Sequence, residues 1–157
     1  MDENTILWDP FCGAGTIPIT ALLYFNIKKV ICSDISGTAI EKCKKNLDAS
    51  NISQDKCMIF RSSIKDIKLN KQNIDRIITN LPFGIRVGTH EDNIKIYKEL
   101  EERARNLLRT KGEIILLTQE KKLIRDTFKK DSWRVESLAR INEGGLLPEI
   151  FRIRKRN

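Results

Sequence analysis

Two glycines, one residue apart, follow the first apolar run of this chain, in the segment DPFCGAGTIP at residues 9–18. Glycine lets a ligand pack against bare backbone, and the first turn of a following helix offers unpaired N–H groups. Asp9 precedes Gly13 and Gly15, where a carboxylate can meet a positively charged group directly or through water. The segment therefore predicts a ligand-binding loop, with a tight strand-to-helix turn as the alternative.

Two more acids follow later apolar runs. Asp34 ends the segment KKVICSD, where an acid can bind both hydroxyls of a ribose. Asp66 lies in SSIKDI after a third run and can accept a hydrogen bond from an adenine amino group. Each acid alone could be solvated or cap a helix. Together with Asp9, however, they stand at successive strand ends, and a ligand with a cation, a ribose and an adenine fits S-adenosylmethionine.

The first loop departs from the dinucleotide-binding pattern G-x-G-x-x-G. Pro18 occupies the position of its third glycine. The departure argues against a pyrophosphate ligand and therefore against a simple oxidoreductase.

The segment TNLPFG at residues 79–84 has the residue types needed to methylate an exocyclic amino group of a nucleobase. Such a nitrogen is a poor nucleophile because its lone pair is delocalised into the ring, so two acceptors must hold its N–H groups. The side-chain oxygen of Asn80 is one predicted acceptor, and the carbonyl of Leu81, kept extended by Pro82, is the other. Phe83 can stack on the base, a contact worth roughly 1–3 kcal/mol. The alternative is a strand end with a proline turn and a core phenylalanine.

This chemistry depends on orientation. An asparagine cannot remove a proton at neutral pH, so Asn80 would position the amino group without acting as a base. The target base would have to be unstacked or flipped out of its helix to reach the pocket.

Strand-like apolar runs alternate with amphipathic segments along the chain, which predicts an α/β fold with a doubly wound, mostly parallel sheet. The order is five β/α steps and then a C-terminal antiparallel hairpin, since the last two strands lack room for a crossover helix. Gly112 is predicted to be the turn after the long helix, and Gly144-Gly145 the turn of the hairpin. Seven strands are predicted at 5–10, 28–34, 56–63, 74–82, 112–119, 133–141 and 149–155, and helices at 15–25, 36–50, 92–108 and 121–130.

The composition favours a polyanionic partner. Lys and Arg number 29 against 21 Asp and Glu, a formal net charge of +8. A basic surface attracts nucleic acid. A solvated lysine-rich surface without such a partner is an equally good interpretation of the net charge. Candidate phosphate contacts are Lys121, Lys122, Arg125, Arg152, Arg154, Lys155 and Arg156, with the three tail arginines on one strand face.

Other features point to an ordinary cytoplasmic domain. No apolar run approaches the ~20 residues that a membrane span needs, and the N-terminus is acidic, so we expect no membrane partner. The cysteines have no zinc-ligand spacing and are predicted to be small buried hydrophobes, with Cys12 packing and not reacting. His90 is predicted to be solvent-exposed in a loop. The four cysteines, with no close pair in the sequence, are Cys12, Cys32, Cys43 and Cys57.

The segments DPFCGAGTIPITA and TNLPFGIRVG resemble the class I, S-adenosylmethionine-dependent RNA methyltransferases of the THUMP-associated group. The form N-L-P-F-G-x-R, ending in Arg86, is similar to the tRNA guanine-N2 enzymes and unlike DNA adenine enzymes, which usually have two prolines. The resemblance implies a Rossmann-like fold, S-adenosylmethionine as cofactor, and tRNA or another structured RNA as partner. It implies these site residues: Asp9, Pro10, Gly13 and Gly15 at the cofactor, Asp34 at its ribose, Asp66 at its adenine, Asn80 to Phe83 at the guanine, and Arg86 beside the guanine or the RNA backbone.

One departure from that group concerns the N-terminus. Its members carry a THUMP domain and a connecting segment before the first strand, and neither precedes Thr5 here. We therefore expect a single catalytic domain over residues 1–157, with a THUMP domain in cis or on a partner chain. An adenine-N6 methyltransferase acting on DNA or rRNA, and a non-catalytic cofactor- or RNA-binding module, are the alternatives.

Overall fold

The computed structural model describes residues 1–81, 90–142 and 145–156, with the side chains of Gln54 and His90 left out. Within these ranges the chain forms seven strands and four α-helices. The strands are β1 (Ile6–Asp9), β2 (Lys29–Asp34), β3 (Cys57–Arg61), β4 (Ile74–Asn80), β5 (Leu108–Thr118), β6 (Trp133–Arg140) and β7 (Glu149–Lys155). The helices are α1 (Thr16–Tyr24), α2 (Gly37–Ala49), α3 (His90–Leu107) and α4 (Lys121–Thr127).

All seven strands belong to one sheet, in the order β3-β2-β1-β4-β5-β7-β6. The first five strands are parallel, and β7 runs antiparallel to both β5 and β6. This confirms the predicted mostly parallel sheet with a C-terminal antiparallel hairpin. The strand order reverses between β1 and β4, so the loops after these two strands meet at a switch point, where open α/β sheets bind ligands.

Apolar side chains from the two faces of the sheet form two separate cores. One core packs α1 and α2 on the sheet and includes Leu7, Val30 and Ile40. The larger core packs α3 and α4 on the other face and includes Trp8 and the residues around Tyr97. Because alternate residues of a strand point to opposite faces, Leu7 and Trp8 serve different cores. Strand β1 is therefore apolar from Ile6 to Trp8 and buried along its length, as expected for a strand covered on both faces.

Gly112 was predicted as a turn after the long helix, and this prediction is wrong. Strand β5 begins at Leu108, directly after α3, and its pairing with β4 shifts register in the stretch that contains Gly112. A Cβ at Gly112 would come within 3.0 Å of the Arg109 carbonyl oxygen and 3.2 Å of the Asp75 carbonyl oxygen. The glycine is thus required by a close approach of backbones, not by a free turn.

Residues 62–73, between β3 and β4, contain turns and no α-helix, and the four observed α-helices correspond to the four predicted ones. One helix boundary differs from the prediction. Helix α3 begins at His90, two residues before the predicted start, so His90 is not in a loop. None of the helices in the described ranges is long and apolar enough to cross a membrane.

Candidate functional site

The loop after β1 folds back onto the end of β2. The backbone N–H of Cys12 donates to the Ser33 carbonyl at 3.0 Å, and the N–H of Gly15 donates to the Cys12 carbonyl at 2.8 Å. Gly13 and Gly15 have φ values of 53° and 87°, in the left-handed region that glycine adopts without strain. Two glycines are therefore what allow this tight loop to form ahead of α1.

Asp34, predicted to bind a ribose, also holds the first loop in place. One carboxylate oxygen accepts a hydrogen bond from the Gly13 N–H at 3.0 Å. The other accepts from the Ser36 N–H at 2.9 Å, just before α2. A single carboxylate at the end of β2 thereby fixes the backbone of two neighbouring loops on the carboxyl edge of the sheet.

The two glycines have different surroundings, which bear on whether a cofactor fits. A Cβ at Gly13 would meet no atom within 4 Å, whereas a Cβ at Gly15 would lie 2.7 Å from the Cys43 sulfur. Gly15 is therefore packed against α2, and Gly13 faces open space. Bare backbone beside open space fits a cofactor lying on this loop.

This contrast gives a first prediction. Replacing Gly15 with alanine should lower the free energy of unfolding by about 2–4 kcal/mol, because a left-handed conformation and a contact with Cys43 both oppose a Cβ. Gly13→Ala is the matched control, since it carries the conformational cost of roughly 1–2 kcal/mol without the contact. Urea unfolding of both variants checks this, and equal losses would contradict the assignment of Gly15 to packing.

Asp9 is buried at the end of β1, with 1% of its surface exposed. Its Oδ1 accepts hydrogen bonds from the Thr79 hydroxyl at 2.6 Å and from the Phe11 N–H at 3.2 Å. Burial raises the pKa of Asp9 to about 7, and the nearby charge of Asp34 acts in the same direction. Near neutral pH the Asp9 carboxyl group is therefore divided between its protonated and ionised forms. A nearby cation would favour the ionised form.

The Thr79–Asp9 hydrogen bond joins the two segments that sequence reasoning singled out. Thr79 immediately precedes Asn80, the last residue of β4, whose side chain is exposed at the same edge. Leu81 is buried, and its N–H donates to the Leu117 carbonyl at 3.0 Å, which ties the backbone after β4 to β5. The glycine loop and the asparagine thus lie side by side. Pro82, Phe83 and Arg86 lie outside the described residues.

The remaining predicted cofactor residues are Asp66 and Pro10. Asp66 is exposed in the connection after β3, where its carboxylate accepts from the Ser63 hydroxyl at 2.6 Å and its N–H donates back to that oxygen at 3.2 Å. This turn fixes the acid without burying it. Pro10, directly after β1, is buried.

Most of the basic residues predicted to contact phosphate are engaged by the protein itself. Lys121 pairs with Glu149 at 3.0 Å, and the guanidinium of Arg125 lies 5.3 Å from the centroid of the Phe151 ring. Arg152 and Arg154 share a face of β7, as predicted, and both pair with Glu136 of β6. Lys122 and Arg156 are exposed, while the Lys155 ammonium donates to two backbone carbonyls.

Sequence reasoning missed a cluster of thiols beneath the first loop. All four cysteines are free, three of them are buried and Cys57 is half-buried, so their predicted role as packing residues agrees with the structure. They are not scattered in space, however. The sulfur atoms of Cys32 and Cys57 lie 3.5 Å apart, and Cys12 and Cys43 interact with Cys32. These contacts and burial raise the pKa of the Cys32 thiol, which keeps it protonated.

An open sheet in this strand order, with a glycine loop and an asparagine meeting at its switch point, defines the methyltransferase class of Rossmann-like folds. Within that class the chain belongs to the UPF0020 family, the RMKL-like methyltransferase domain, whose model matches residues 1–149.

Proteins similar to this chain include two named guanine-N2 methyltransferases. The tRNA (guanine(6)-N2)-methyltransferase of Methanocaldococcus jannaschii is 28% identical over 95% of this chain and 49% of its own length. The human tRNA (guanine(6)-N(2))-methyltransferase THUMP3 is 29% identical over 93% of this chain and 31% of its own length. The chain therefore spans about half, or about a third, of the length of these curated relatives.

Solved structures share the fold at low sequence identity. TrmN from Thermus thermophilus superposes with a TM-score of 0.82 at 23% identity, covering 98% of this chain and 44% of that one. P. horikoshii TYW2, crystallised in complex with MeSAdo, superposes with a TM-score of 0.72 at 14% identity, covering 98% of this chain and 58% of that one.

Proposed function

We propose that this chain transfers a methyl group from S-adenosylmethionine to the exocyclic N2 amino group of a guanine in tRNA. The observation that carries the proposal is the hydrogen bond from Thr79 to Asp9, which brings the glycine loop and Asn80 to one sheet edge. Two substrates that must react with each other need this adjacency. The names of the M. jannaschii and human relatives support guanine N2 and tRNA as the target.

The residues on the loop side would hold the cofactor. Open backbone at Gly13 would lie against it, Asp34 would accept from its ribose hydroxyls, and exposed Asp66 would accept from its adenine amino group. Asp9 would face its positive charge, directly or through water. When bound, S-adenosylmethionine supplies an electrophilic methyl group. The crystallised complex of TYW2 with MeSAdo supports a ligand of this kind in the shared fold.

The residues after β4 would orient the target base. Asn80 would accept one hydrogen bond from the guanine amino group through its exposed side-chain oxygen. The Leu81 carbonyl would accept the other, and the bond from the Leu81 N–H to Leu117 supports this because it fixes the peptide position. Neither group removes a proton, so the proton leaves after transfer, when the nitrogen is cationic and acidic. Catalysis then depends on orientation of the reactants.

Substrate delivery would involve RNA-binding parts beyond residues 1–157. Since the chain spans about a third of the human relative, we propose that it acts as a catalytic domain together with a THUMP domain, in cis or on a partner chain. One bovine and one murine relative are named U6 snRNA (guanine-N(2))-methyltransferases. A structured RNA other than tRNA is therefore the alternative substrate for the same reaction.

Methyl transfer from labelled S-adenosylmethionine to unmodified tRNA, followed by nucleoside mapping, tests this function. We expect N2-methylguanosine as the product. N6-methyladenosine would instead identify the adenine enzyme, and no transfer, with bound cofactor and saturating tRNA, would identify a non-catalytic module. The assay is repeated with upstream sequence restored, because the relatives are longer than this chain.

A further inference from the structure

A cleft of about 610 Å³ opens at the amino end of β5, on the sheet edge opposite the candidate site. Strand β5 runs from this cleft toward the site, and β7 returns antiparallel, so that its last residues lie beside the start of β5. No acidic residue is among the described residues that line the cleft. Its five basic side chains are Lys111, Arg134, Arg154, Lys155 and Arg156. A lining of this kind attracts anions.

Glu136 of β6 neutralises the arginines around the cleft only in part. Glu136 pairs with Arg134 at 2.7 Å and with Arg154 at 3.4 Å. It also pairs with Arg152, at 2.6 Å. One carboxylate thus faces three guanidinium groups, and the pairing with Arg152 is the main reason that the pKa of Glu136 is lowered. Two positive charges of this set remain uncompensated by Glu136.

Two other cations are held by backbone oxygens, which leave their charge in place. The Lys155 ammonium donates to the carbonyls of Arg105 at 2.9 Å and Leu108 at 2.7 Å. Burial lowers the pKa of Lys155, and the like charge of Arg105 lowers it further. The Nε of Arg156 donates to the Trp133 carbonyl at 3.3 Å. These contacts order the cations, and ordered cations lose less entropy on binding an anion.

We propose that this amino-edge cleft binds backbone phosphates of the RNA substrate, an inference that rests on the proposed function. Its cations come from β6, from β7 and from the irregular start of β5, which matches the spread of several phosphates in a polyanion. The five residue steps from Gly112 to Leu117 span roughly 17 Å of strand. An RNA that places its target base at the carboxyl edge therefore has to extend over about this distance to reach the cleft.

The test replaces two exposed cleft cations, Lys111→Gln together with Arg156→Gln, and measures tRNA affinity at several salt concentrations. We expect affinity to fall about tenfold or more at low salt. The slope of log K against log salt should become shallower by about one to two, since each phosphate contact contributes roughly one. The matched control is Lys42→Gln with Lys45→Gln, the same charge change on exposed positions of α2.

Equal tRNA affinity and equal salt slope in the cleft variant and the α2 control would overturn the proposal, as would a wild-type chain that does not bind tRNA. Circular dichroism and S-adenosylhomocysteine binding verify that the variants are folded. The single change Lys111→Glu is a second cleft variant, for which the tRNA affinity should also fall. The salt slope reports tRNA binding and does not depend on whether methyl transfer occurs. Wild-type chain that binds tRNA through the cleft yet forms no N2-methylguanosine would therefore remove the proposed function and leave the cleft assignment standing.

Discussion

Replacing Asn80 with alanine is expected to lower the rate of methyl transfer by about a hundredfold or more while leaving the fold intact. Asn80 lies at the end of β4 with an exposed side chain, so its removal should change the free energy of unfolding by less than about 0.5 kcal/mol. The loss would fall on kcat, because the Asn80 amide would hold the guanine amino group in the orientation needed for attack. Misplacement of a reacting group by about 1 Å can lower the rate a hundredfold. Single-turnover kinetics with labelled cofactor and tRNA measure it.

Two controls separate orientation from general damage. Asn26→Ala, at an exposed position outside the site, should keep the wild-type rate. Asn80→Asp retains a side-chain acceptor and should be less impaired than Asn80→Ala. S-adenosylhomocysteine affinity should be the same in all variants, since Asn80 is assigned to the base and not to the cofactor. Wild-type kcat in Asn80→Ala would rule out the proposed orientation mechanism.

The sheet could be predicted from sequence because its signals are local. Apolar runs closed by an acid or a proline marked the strands, and the short connection between the last two strands required an antiparallel pair. Helical spacing in SGTAIEKCKKNLDAS predicts that Ala39, Cys43 and Leu47 share one apolar face. In α2, Cys43 and Leu47 are buried together with Ile40, whereas Ala39 is half-buried.

The boundary between α3 and β5 could not be predicted, because its residues suit both elements. Leu107 and Leu108 are both buried, one ending the helix and the other beginning the strand. No polar turn separates them, so Gly112 was the nearest turn signal in the sequence. Its actual role depends on the Asp75 carbonyl, which lies 37 positions away in the chain on β4 and becomes a neighbour only through strand pairing.

The contacts that build the candidate site depend in the same way on strand order and register. The sequence placed Asp9, Asp34 and Asn80 at strand ends, but not the hydrogen bonds from Thr79 to Asp9 and from Gly13 to Asp34. Neither residue pair has a local signature. The convergence of the four cysteines has the same origin, since β2 and β3 bring Cys32 and Cys57 together from 25 positions apart.

Asp9 should make the stability of the protein fall as pH rises. Its pKa is about 7 in the folded protein and 3.8 ordinarily, so between these values the folded state binds more protons than the unfolded state. The free energy of unfolding then decreases with rising pH, from about pH 4 to about pH 7, by at most about 1.4 kcal/mol per pH unit. Asp9→Asn keeps an oxygen that can accept from Thr79 and Phe11 but cannot ionise. The variant should lack this slope and be the more stable protein at pH 8.

The same substitution should act in the opposite direction on binding of the cationic cofactor. An ionised Asp9 favours a nearby positive charge, so wild-type affinity for S-adenosylmethionine should rise as pH increases from 6 to about 7.5 through the pKa of about 7. Asp9→Asn should abolish this rise and weaken binding by about ten- to hundredfold, the size of a lost charged contact. Methylthioadenosine, which carries no positive charge at this position, is the control ligand and should bind both proteins alike. Calorimetric titration at several pH values distinguishes the outcomes. An equal loss for both ligands would show that Asp9 shapes the loop without contacting the charge, because methylthioadenosine has neither the sulfonium nor the ammonium group of S-adenosylmethionine.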